Sequence, residues 1–437
     1  MRQACCEQFT QVALAKRSTP MPPPRPLECS PLYPGRRRRG FDDQEGLTKL
    51  RNRLPWIAAL LAASLSLFAI ACSDSDESDS WKIGLEAPLT GDQAQLGQGM
   101  LQGAQLASSQ LNSAGGLLGR DVEIVPIDDQ ADPEVGVDAA NEAIESGLDG
   151  VVGPYNSGVG LETLPLYQDA GLVPIRLTSD VGTNGMGFTL QPMTNQIAPV
   201  ATGALTDWLK ADKVAIAYDS STDYTNEIAR SVRSLLEKQG VEVVAFEQIK
   251  PGQKSYADEV GALAASGADV VYGAVYFPEG AAIAKEMLKQ KVAPACLLDY
   301  GSYDSGFVAD AGEAAAKICP VVGVPAWNDF KGSADFGKAF RDDFDTAPGT
   351  WSPYTYDSVN FLAEAVKATD GFEADAVTDF LDGVSGWMGW TGSVTIDPET
   401  GNRDPATVVV TTLSTEDGAD GELRVDQDWA KAVGAPY

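Results

Sequence analysis

Residues 149–160 read DGVVGPYNSGVG and are followed by LETLPLYQDAG. The apolar run predicts a short strand, and the segment after it carries apolar residues at helical spacing. A tight turn therefore joins a strand to a helix whose first turn holds Asn156 or Ser157 as the cap. A strand that leads through a short turn into a helix is the repeating unit of α/β folds with parallel sheets.

The same alternation of apolar runs and helical patterns continues over most of the chain after residue 80. Predicted strands include 81–89, 121–129, 172–178, 213–219 and 242–249, and predicted helices include 97–116, 132–147, 195–210 and 224–240. Asp132 and Pro133 predict a capped start for the helix at 132–147. One sheet with so many strands would be very large, and the segment Met193–Pro199 interrupts the alternation. We therefore predict two Rossmann-like α/β lobes, each built on a parallel sheet.

The composition limits the possible functions. The 437-residue chain has 62 Asp and Glu residues against 32 Lys and Arg residues, a formal net charge of −30, and so acidic a surface repels nucleic acid and anionic lipid headgroups. It contains no histidine, which excludes Ser-His-Asp and Cys-His catalysis and histidine metal sites. We expect no catalytic residue, no metal and no cofactor. An exported hydrolase with paired carboxylates is a weak alternative, because no such pair stands out.

Residues 47–71 have the features of a secretory signal peptide. Basic residues precede an apolar run from Trp56 to Ile70, and the small-residue sequence Ala69-Ile70-Ala71 lies immediately before Cys72. This arrangement predicts a lipoprotein signal, with lipid attached to Cys72 and residues 72–80 as a tether. Ala69 stands where such signals usually have leucine, so plain secretion and an uncleaved anchor remain alternatives. The predicted location is extracytoplasmic, at the cell membrane in the periplasm or on the cell surface.

Residues 1–46 precede this signal and include PMPPPRP and GRRRRG, which are typical of disordered segments. A signal peptide needs no such prefix. We predict that it is a non-native or disordered extension and that translation starts near Leu47, from a codon other than ATG. Detection of Met1 at the terminus of the unprocessed precursor would contradict this prediction.

Cys296 and Cys319 are the two cysteines of the main body of the chain, and each lies in an apolar run that predicts a strand. Export from the cytoplasm permits a disulfide between them. Two buried free thiols are an equally good interpretation of the sequence.

Polar residues follow two of the predicted strands at their carboxyl ends, where ligands bind in open α/β sheets. Asn156 and Ser157 follow the strand at 150–152, and Thr178 and Ser179 follow the strand at 172–178. Their hydroxyls and the N–H groups of a helix start can hold a carboxylate or a polarised amide. The alternative is that Asn156 or Ser157 only caps its helix.

The strand ends of the second predicted lobe carry aromatic and acidic residues. They are Tyr224, Tyr276, Phe277, Glu279, Asp299 and Tyr300. Such rings can wall a small pocket, and Asp299 or Glu279 can pair with a cation. The alternative for any single tyrosine is ordinary packing at the edge of a sheet.

Several stretches, in order, resemble the type I periplasmic binding proteins, in particular the solute receptors of branched-chain amino acid ABC importers. The opening stretch is KIGLEAPLTGDQAQLGQGMLQGAQLASSQLNSAGGLLGRDVEIVPIDD at 82–129, and the next is GPYNSGVGLETLPLYQDAGLVPIRLTSD at 153–180. Further stretches are AYDSSTDYTNEIARSV (217–232), VVYGAVYFPEGAAIAKEMLKQ (270–290), YTYDSVNFLAEAV (354–366) and GWTGSVTIDPETGNRDPATVVV (389–410). The resemblance covers about residues 81–413.

The resemblance implies two hinged lobes joined by three crossings, with ligand trapped between them when they close. The N-terminal lobe would comprise residues 81–196 and a return segment at 326–412. The C-terminal lobe would comprise residues 197–325, with the C-terminal tail, 413–437, on it as well.

The resemblance also implies roles for individual residues. Ser157 lies where the family's serine holds the ligand carboxylate, and Thr178, Ser179 and Asp180 cover the neighbouring donor loop. Tyr224 and Tyr276 match aromatic positions of the second lobe. Asp299 or Tyr300 falls where members that bind amino acids often carry an acid for the ammonium group.

Two departures from the family pattern affect specificity. Leu96 stands where some members have an aromatic residue, and Asp180 stands where threonine or serine is more usual. The charge of Asp180 would repel a carboxylate unless the side chain faces away or binds a cation.

The predicted function is that of an extracytoplasmic solute-binding lipoprotein of an ABC importer, which would work with permease and ATPase subunits. A branched-chain amino acid is the first expectation for the ligand, and other amino acids, amides or urea-like molecules, and aromatic acids are alternatives. A ligand-sensing receptor of the same fold is the alternative function.

Overall fold

A computed structural model describes residues 80–414 and 422–436. The predicted N-terminal extension, the signal peptide, Cys72 and the tether as far as residue 79 lie outside the described residues, as do 415–421 and 437. Among the helices that are described, none is both long and apolar enough to cross a bilayer.

Strands and helices alternate through most of the described chain. The strands are β1 (Trp81–Ala87), β2 (Val122–Asp128), β3 (Gly150–Val152), β4 (Pro174–Arg176), β5 (Phe188–Thr189), β6 (Lys213–Asp219), β7 (Glu242–Ile249), β8 (Val270–Ala274), β9 (Ala295–Leu298), β10 (Val321–Gly323), β11 (Ser385–Gly389), β12 (Gly392–Asp397), β13 (Asn402–Arg403), β14 (Val409–Leu413) and β15 (Leu423–Val425). The helices are α1 (Ala94–Ser113), α2 (Pro133–Glu145), α3 (Ser157–Asp169), α4 (Thr194–Gly203), α5 (Asp223–Gln239), α6 (Ala257–Ala265), α7 (Phe277–Gln290), α8 (Ser305–Ala311), α9 (Glu313–Ala316), α10 (Ser333–Phe344), α11 (Ser352–Thr369), α12 (Ala374–Asp382) and α13 (Gln427–Val433).

The described strands form two sheets. The first has the order β11-β12-β13-β5-β4-β3-β1-β2, and the second has the order β15-β14-β10-β9-β8-β6-β7. Strands joined through helices pair parallel, as β1 does with β2 and β3, and β6 with β7 and β8. The prediction of two α/β lobes with parallel sheets is therefore confirmed for the βαβ core. Antiparallel pairing joins β11 to β12 and β12 to β13, which short connections link. It also joins β14 to β15 and to β10, and β10 lies far from β14 in the chain.

Local sequence signals explain how individual helices begin and end. The Asp132 side chain accepts hydrogen bonds from the backbone N–H groups of Glu134 and Val135, and Pro133 occupies the first turn of α2, as the sequence predicts. Helix α5 buries Tyr224, Ile228, Val232 and Leu236 on one face, the i, i+4 spacing of an amphipathic helix. It ends at Gly240 with a φ of 84°, a left-handed conformation that glycine adopts without steric cost.

Helix α11 attaches the return segment to the first lobe by packing closely on α1. The Ser352 hydroxyl donates to the Gly99 carbonyl at 2.7 Å, and the Thr355 hydroxyl donates to the Met100 carbonyl at 2.9 Å. A Cβ atom on Gly103 would lie 2.2 Å from the Ser352 carbonyl oxygen. Only glycine therefore allows the two helices to approach this closely.

The chain passes between the lobes three times. It leaves the first lobe between β5 and α4, which packs on α5, and returns between β10 and α10, which packs on α1. The third crossing lies between β13 and β14, because β14 pairs with β10 of the second sheet. The predicted end of the return segment at residue 412 thus falls inside β14, and the crossing lies before Val409. The apolar run at 408–410 predicts a strand, but nothing in it indicates which sheet the strand joins.

Candidate ligand-binding site

The carboxyl ends of β3 and β4 lie side by side at the edge of the first sheet that faces the second lobe. Gly153 follows β3 with a φ of 101°, and a Cβ atom there would lie 2.1 Å from the Glu86 carbonyl oxygen. Both conditions require glycine. The turn after Gly153 brings the start of α3 next to the loop after β4.

Ser157 connects these two strand ends. Its side chain is 1% exposed, and its hydroxyl oxygen accepts from the backbone N–H groups of Ser179 at 3.3 Å and Asp180 at 3.2 Å. Neither Ser157 nor Asn156 makes a side-chain capping bond to α3. Asn156 occupies the N-cap position as predicted, but neither side chain serves as a capping acceptor. The Ser157 hydroxyl hydrogen is left free to donate, next to two N–H groups that point at the same place.

The other donors predicted in the first lobe have different surroundings. Ser179 donates to the Pro192 carbonyl at 2.8 Å and accepts from the Gln191 amide at 3.3 Å. Asn156 donates to the Gln93 side-chain oxygen at 3.1 Å. Thr178 is fully buried and bonds the hydroxyl of Thr183 at 2.8 Å. Thr178 therefore lies behind the cleft, whereas Ser179 lies on its surface.

The predicted acid of the second lobe is enclosed by tyrosines. Asp299 is 0% exposed, and its two carboxylate oxygens accept from the Tyr224 hydroxyl at 2.7 Å and the Tyr272 hydroxyl at 2.5 Å. The backbone N–H of Gly301 adds a third bond at 3.3 Å. Burial raises the pKa of Asp299, and the tyrosine hydrogen bonds partly offset this rise. Asp299 therefore holds the tyrosines in place and does not face the cleft.

Aromatic rings from both lobes meet in the cleft. The Trp351 ring of the first lobe lies 5.4 Å from the Tyr300 ring of the second lobe, measured between centroids, and 5.3 Å from the Tyr155 ring. The Tyr155 ring is in turn 6.4 Å from the Tyr276 ring. These separations are those of favourable aromatic pairs. The sequence prediction missed Tyr155 and Trp351, although Tyr155 lies in the turn between β3 and α3.

The rings and hydroxyls enclose a cavity of about 10 Å³. Its walls are formed by four tyrosines, two serines, one leucine and one glutamine: Tyr155, Ser157, Leu177, Ser179, Gln191, Tyr224, Tyr276 and Tyr300. The structure thus brings together five of the eight predicted ligand-binding residues. Asn156, Thr178 and Asp299 contact this group without lining the cavity.

A larger cleft of about 500 Å³ opens on the other side of Trp351. It is lined by polar and apolar residues of both lobes, and the Gln95 amide donates to the Ser305 hydroxyl across it at 3.2 Å. Tyr303 lines this cleft, and its ring lies 6.2 Å from the Trp351 ring. Trp351 therefore stands between the small cavity and the open cleft.

The remaining predicted residues lie away from the cavity. The Asp180 carboxylate faces away from it and accepts from the Gly182 N–H at 2.6 Å, while burial and the nearby charge of Asp223 raise its pKa. Glu279 accepts from the Gly252 N–H at 3.1 Å, Phe277 is buried, and Leu96 is part of the hydrophobic core. Asp180 therefore does not oppose an anion in the cavity by direct contact.

Cys296 and Cys319 form a disulfide in the second lobe, with their Cα atoms 4.7 Å apart. Both residues are buried. The bond joins β9 to the segment that leads into β10, next to the loop that carries Asp299 and Tyr300. It therefore supports the base of the aromatic wall.

Comparison with known proteins identifies the fold and the family. The sequence pattern of the periplasmic binding protein family matches residues 80–418. Leu/Ile/Val-binding protein homolog 1 of Brucella abortus is 27% identical over 354 residues, which are 79% of this chain and 93% of that relative.

Two crystal structures share the fold. The branched-chain amino acid transporter substrate-binding protein LivJ of Streptococcus pneumoniae, in complex with isoleucine, has a TM-score of 0.70 at 22% identity, covering 79% of this chain and 99% of that one. A solute-binding protein of an ABC transporter from Rhodopseudomonas palustris, in complex with 3,4-dihydroxybenzoic acid, has a TM-score of 0.69 at 20% identity, covering 79% and 95%.

The chain belongs to the periplasmic binding protein family, and its two α/β lobes are those of the type I fold. The predicted family resemblance is confirmed. The family is one of extracytoplasmic solute-binding proteins and not of enzymes.

Proposed function

We propose that this protein is the solute receptor of an ABC importer and that it binds an amino acid or an amino-acid-like carboxylate between its lobes. The arrangement of Ser157 carries the proposal. The Ser157 hydroxyl, at a helix start, makes no capping bond and has its hydrogen free for a carboxylate. A bound carboxylate could also replace the Ser157 oxygen as acceptor of the two N–H groups that converge there. Tyr224, Tyr276 and Tyr300 would enclose the body of the solute.

Binding would require the lobes to move. A cavity of about 10 Å³ has room for about one water molecule, so an amino acid enters only when the lobes part or the rings turn. Contacts that cross the cleft include aromatic pairs, such as Trp351 with Tyr300, and polar bonds, such as Gln95 with Ser305, and these contacts would break when the lobes part. A solute that bonds both lobes would shift the population toward a closed form with a larger cavity.

A thermal-shift screen tests this proposal. The panel would contain branched-chain amino acids, other amino acids, amides, and aliphatic and aromatic monocarboxylates. A ligand at a hundredfold excess over its Kd stabilises the folded state by about 2.7 kcal/mol, which gives a measurable rise in melting temperature. The Ser157→Ala variant should show a clearly smaller rise at the same ligand concentration. No response to any member of the panel would contradict the proposal.

The importer role adds a lipid anchor at Cys72 and delivery to permease and ATPase subunits. The signal-like segment before Cys72 and the family membership support this part of the proposal. In host cells that take up a lipid label, Cys72→Ser should abolish labelling of the protein, whereas Cys29→Ser, in the predicted extension, should not affect it. Labelling that survives Cys72→Ser would rule out lipid attachment at that residue.

A further inference from the structure

The walls of the small cavity contain no acidic side chain among the described residues. The polar groups that line it are neutral hydroxyls and one amide. A primary ammonium group would bring a full positive charge and three N–H donors into this space. Burying such a charge without a counter-charge is costly.

Asp299 lies behind the tyrosine wall of the cavity and does not line it. Both oxygens of Asp299 accept tyrosine hydroxyls, and one also accepts the Gly301 N–H. An ammonium group in direct contact with Asp299 would compete with the Tyr224 and Tyr272 hydroxyls for its oxygens. A hydroxyl displaced in this way would be buried without its partner, which is unfavourable.

The opposite wall has a positive charge behind it. Arg176 is 0% exposed, and its guanidinium donates to the carbonyl and the hydroxyl of Thr178 at 3.4 and 3.3 Å. Its other contacts are to neutral groups, Met193, Thr400 and Asn402, and its Nε has no partner. Thr178 directly precedes Ser179, so this cation lies immediately behind the donors of the first lobe.

Within the described residues, no carboxylate pairs with Arg176. Burial alone lowers the pKa of Arg176, to about 9, so the guanidinium remains charged at neutral pH. A buried cation without a counter-ion stabilises an anion placed nearby. Ser157 and Ser179 mark where that anion would lie.

We propose that the preferred ligand is a net-anionic monocarboxylate with an apolar or aromatic body and no primary ammonium group, and that Arg176 is the residue that selects for its charge. This inference rests on the proposed function and narrows its ligand class. The tyrosine rings accept an apolar body, and the serine side of the cavity accepts the carboxylate. Arg176 acts through the electrostatic field of its charge at the serine side of the cavity, and not by direct contact with the ligand.

Calorimetry with matched ligands tests the class. Each pair differs only in the α-ammonium group: alanine and propanoate, leucine and 4-methylpentanoate, phenylalanine and 3-phenylpropanoate. In the pair that fits the cavity, the deaminated acid should bind at least about tenfold more tightly. Tighter binding of the amino acid in any pair, with loss in Ser157→Ala, would overturn this inference and leave the proposed function standing. Binding by none of the six compounds would overturn the inference, and the wider thermal-shift panel would then decide the proposed function separately.

Variants of Arg176 test the selecting charge. Arg176→Gln should weaken 3-phenylpropanoate binding by about tenfold and leave the neutral 3-phenylpropanamide unchanged, and Arg176→Lys should restore much of the loss. A merely structural role would weaken both ligands equally, and that result would overturn the assignment.

A second variant keeps the test informative if Arg176→Gln does not fold. Tyr300→Glu places a carboxylate in the second lobe's wall without changing Arg176. It should bind phenylalanine more tightly than the unaltered protein does and 3-phenylpropanoate less tightly. If Tyr300→Glu had the same preference between phenylalanine and 3-phenylpropanoate as the unaltered protein, the lack of an acidic side chain in the cavity wall would not be what decides between amino acids and deaminated acids.

Discussion

The two lobes present different chemistry to the cleft between them. The first lobe supplies hydroxyls and backbone N–H groups around Ser157 and Ser179, with the Arg176 cation behind them. The second lobe supplies the rings of Tyr224, Tyr276 and Tyr300. Both carboxylate oxygens of its buried Asp299 accept hydrogen bonds from tyrosine hydroxyls. One face is therefore suited to the charged end of a solute, and the other to its body.

This division explains how a closing cleft can select a ligand. Hydrogen-bond donors fixed on one lobe set the position and orientation of the charged end. The rings of the other lobe gain contact area only when the lobes approach each other. A solute that satisfies one face alone would bind the open form without favouring closure.

The largest effect is expected where the two faces touch. Trp351 is 1% exposed and contacts rings of both lobes, so Trp351→Ala should reduce the free energy of unfolding by about 3–5 kcal/mol. Trp390→Ala is the matched control, because Trp390 is only half-buried in a small satellite cluster. Urea unfolding followed by circular dichroism measures both. An equal loss of unfolding free energy in the two variants would contradict the view that Trp351 contributes more to stability because it contacts rings of both lobes.

The next effect compares one buried acid in each lobe. Asp299 has three donors, whereas Asp129 of the first lobe has one, the Ala131 N–H at 2.8 Å, and its other oxygen has none. Burial raises the pKa of Asp129 to about 7, above the ordinary value of the unfolded chain. Between about pH 4 and pH 7 the folded protein therefore holds a proton that the unfolded chain has lost. Stability should fall across that window by about 2–4 kcal/mol from Asp129 and the neighbouring Glu86, whose pKa burial and the charge of Asp129 also raise.

Asp129→Asn should reduce the pH dependence of stability. The free energy of unfolding of the variant, relative to that of the unaltered protein, should therefore increase as the pH rises from 4.5 to 7.5. Urea midpoints at three pH values are sufficient for the comparison. Asp138→Asn, on the exposed face of α2, is the control and should leave the dependence unchanged. If stability depended on pH in the same way in the unaltered protein and in Asp129→Asn, Asp129 would not be the source of the pH dependence.

A smaller effect tests the first lobe's donors directly. Ser157→Ala removes the hydroxyl on which two N–H groups converge, and we expect it to weaken binding of the solute by about 1–3 kcal/mol. The exposed Ser113→Ala is the control. Calorimetric titration of both variants with the best ligand of the panel gives the difference. An unchanged Kd in Ser157→Ala would remove Ser157 from the site.

The smallest effect concerns a second-lobe hydroxyl. The Tyr300 hydroxyl donates to the Gln191 side-chain oxygen at 3.4 Å, a long and weak bond. Tyr300→Phe keeps the ring and should change the free energy of ligand binding by less than about 1 kcal/mol. A tenfold loss in this variant would show that the hydroxyl, and not the ring, holds the ligand.

The strand and helix pattern was readable from the sequence because apolar runs alternate with segments of helical spacing throughout the βαβ units. Asp132 and Pro133 start α2 as predicted. The lobe that β14 joins was not readable, since its apolar run fits either sheet. The order of strands in space decides that question, and the order depends on contacts between distant parts of the chain.

The candidate site was predictable only where residues follow strand ends. That rule found Ser157, Ser179, Tyr224, Tyr276 and Tyr300, which line one cavity. It did not distinguish Thr178, which turns inward, from Ser179, which turns outward. It also missed Trp351, because that ring comes from the start of a helix in the return segment. The charge balance of the cavity depends on the hydrogen bonds of Asp299 and Arg176, which spacing along the chain does not reveal.

A crystal structure with the tightest-binding solute of the panel tests the central claim most directly. We predict a carboxylate oxygen within about 3 Å of the Ser157 hydroxyl and the Ser179 N–H, with the solute's body against the rings of Tyr224 and Tyr276. A solute bound outside the cleft, or bound in it with its carboxylate turned toward the second lobe, would contradict this account.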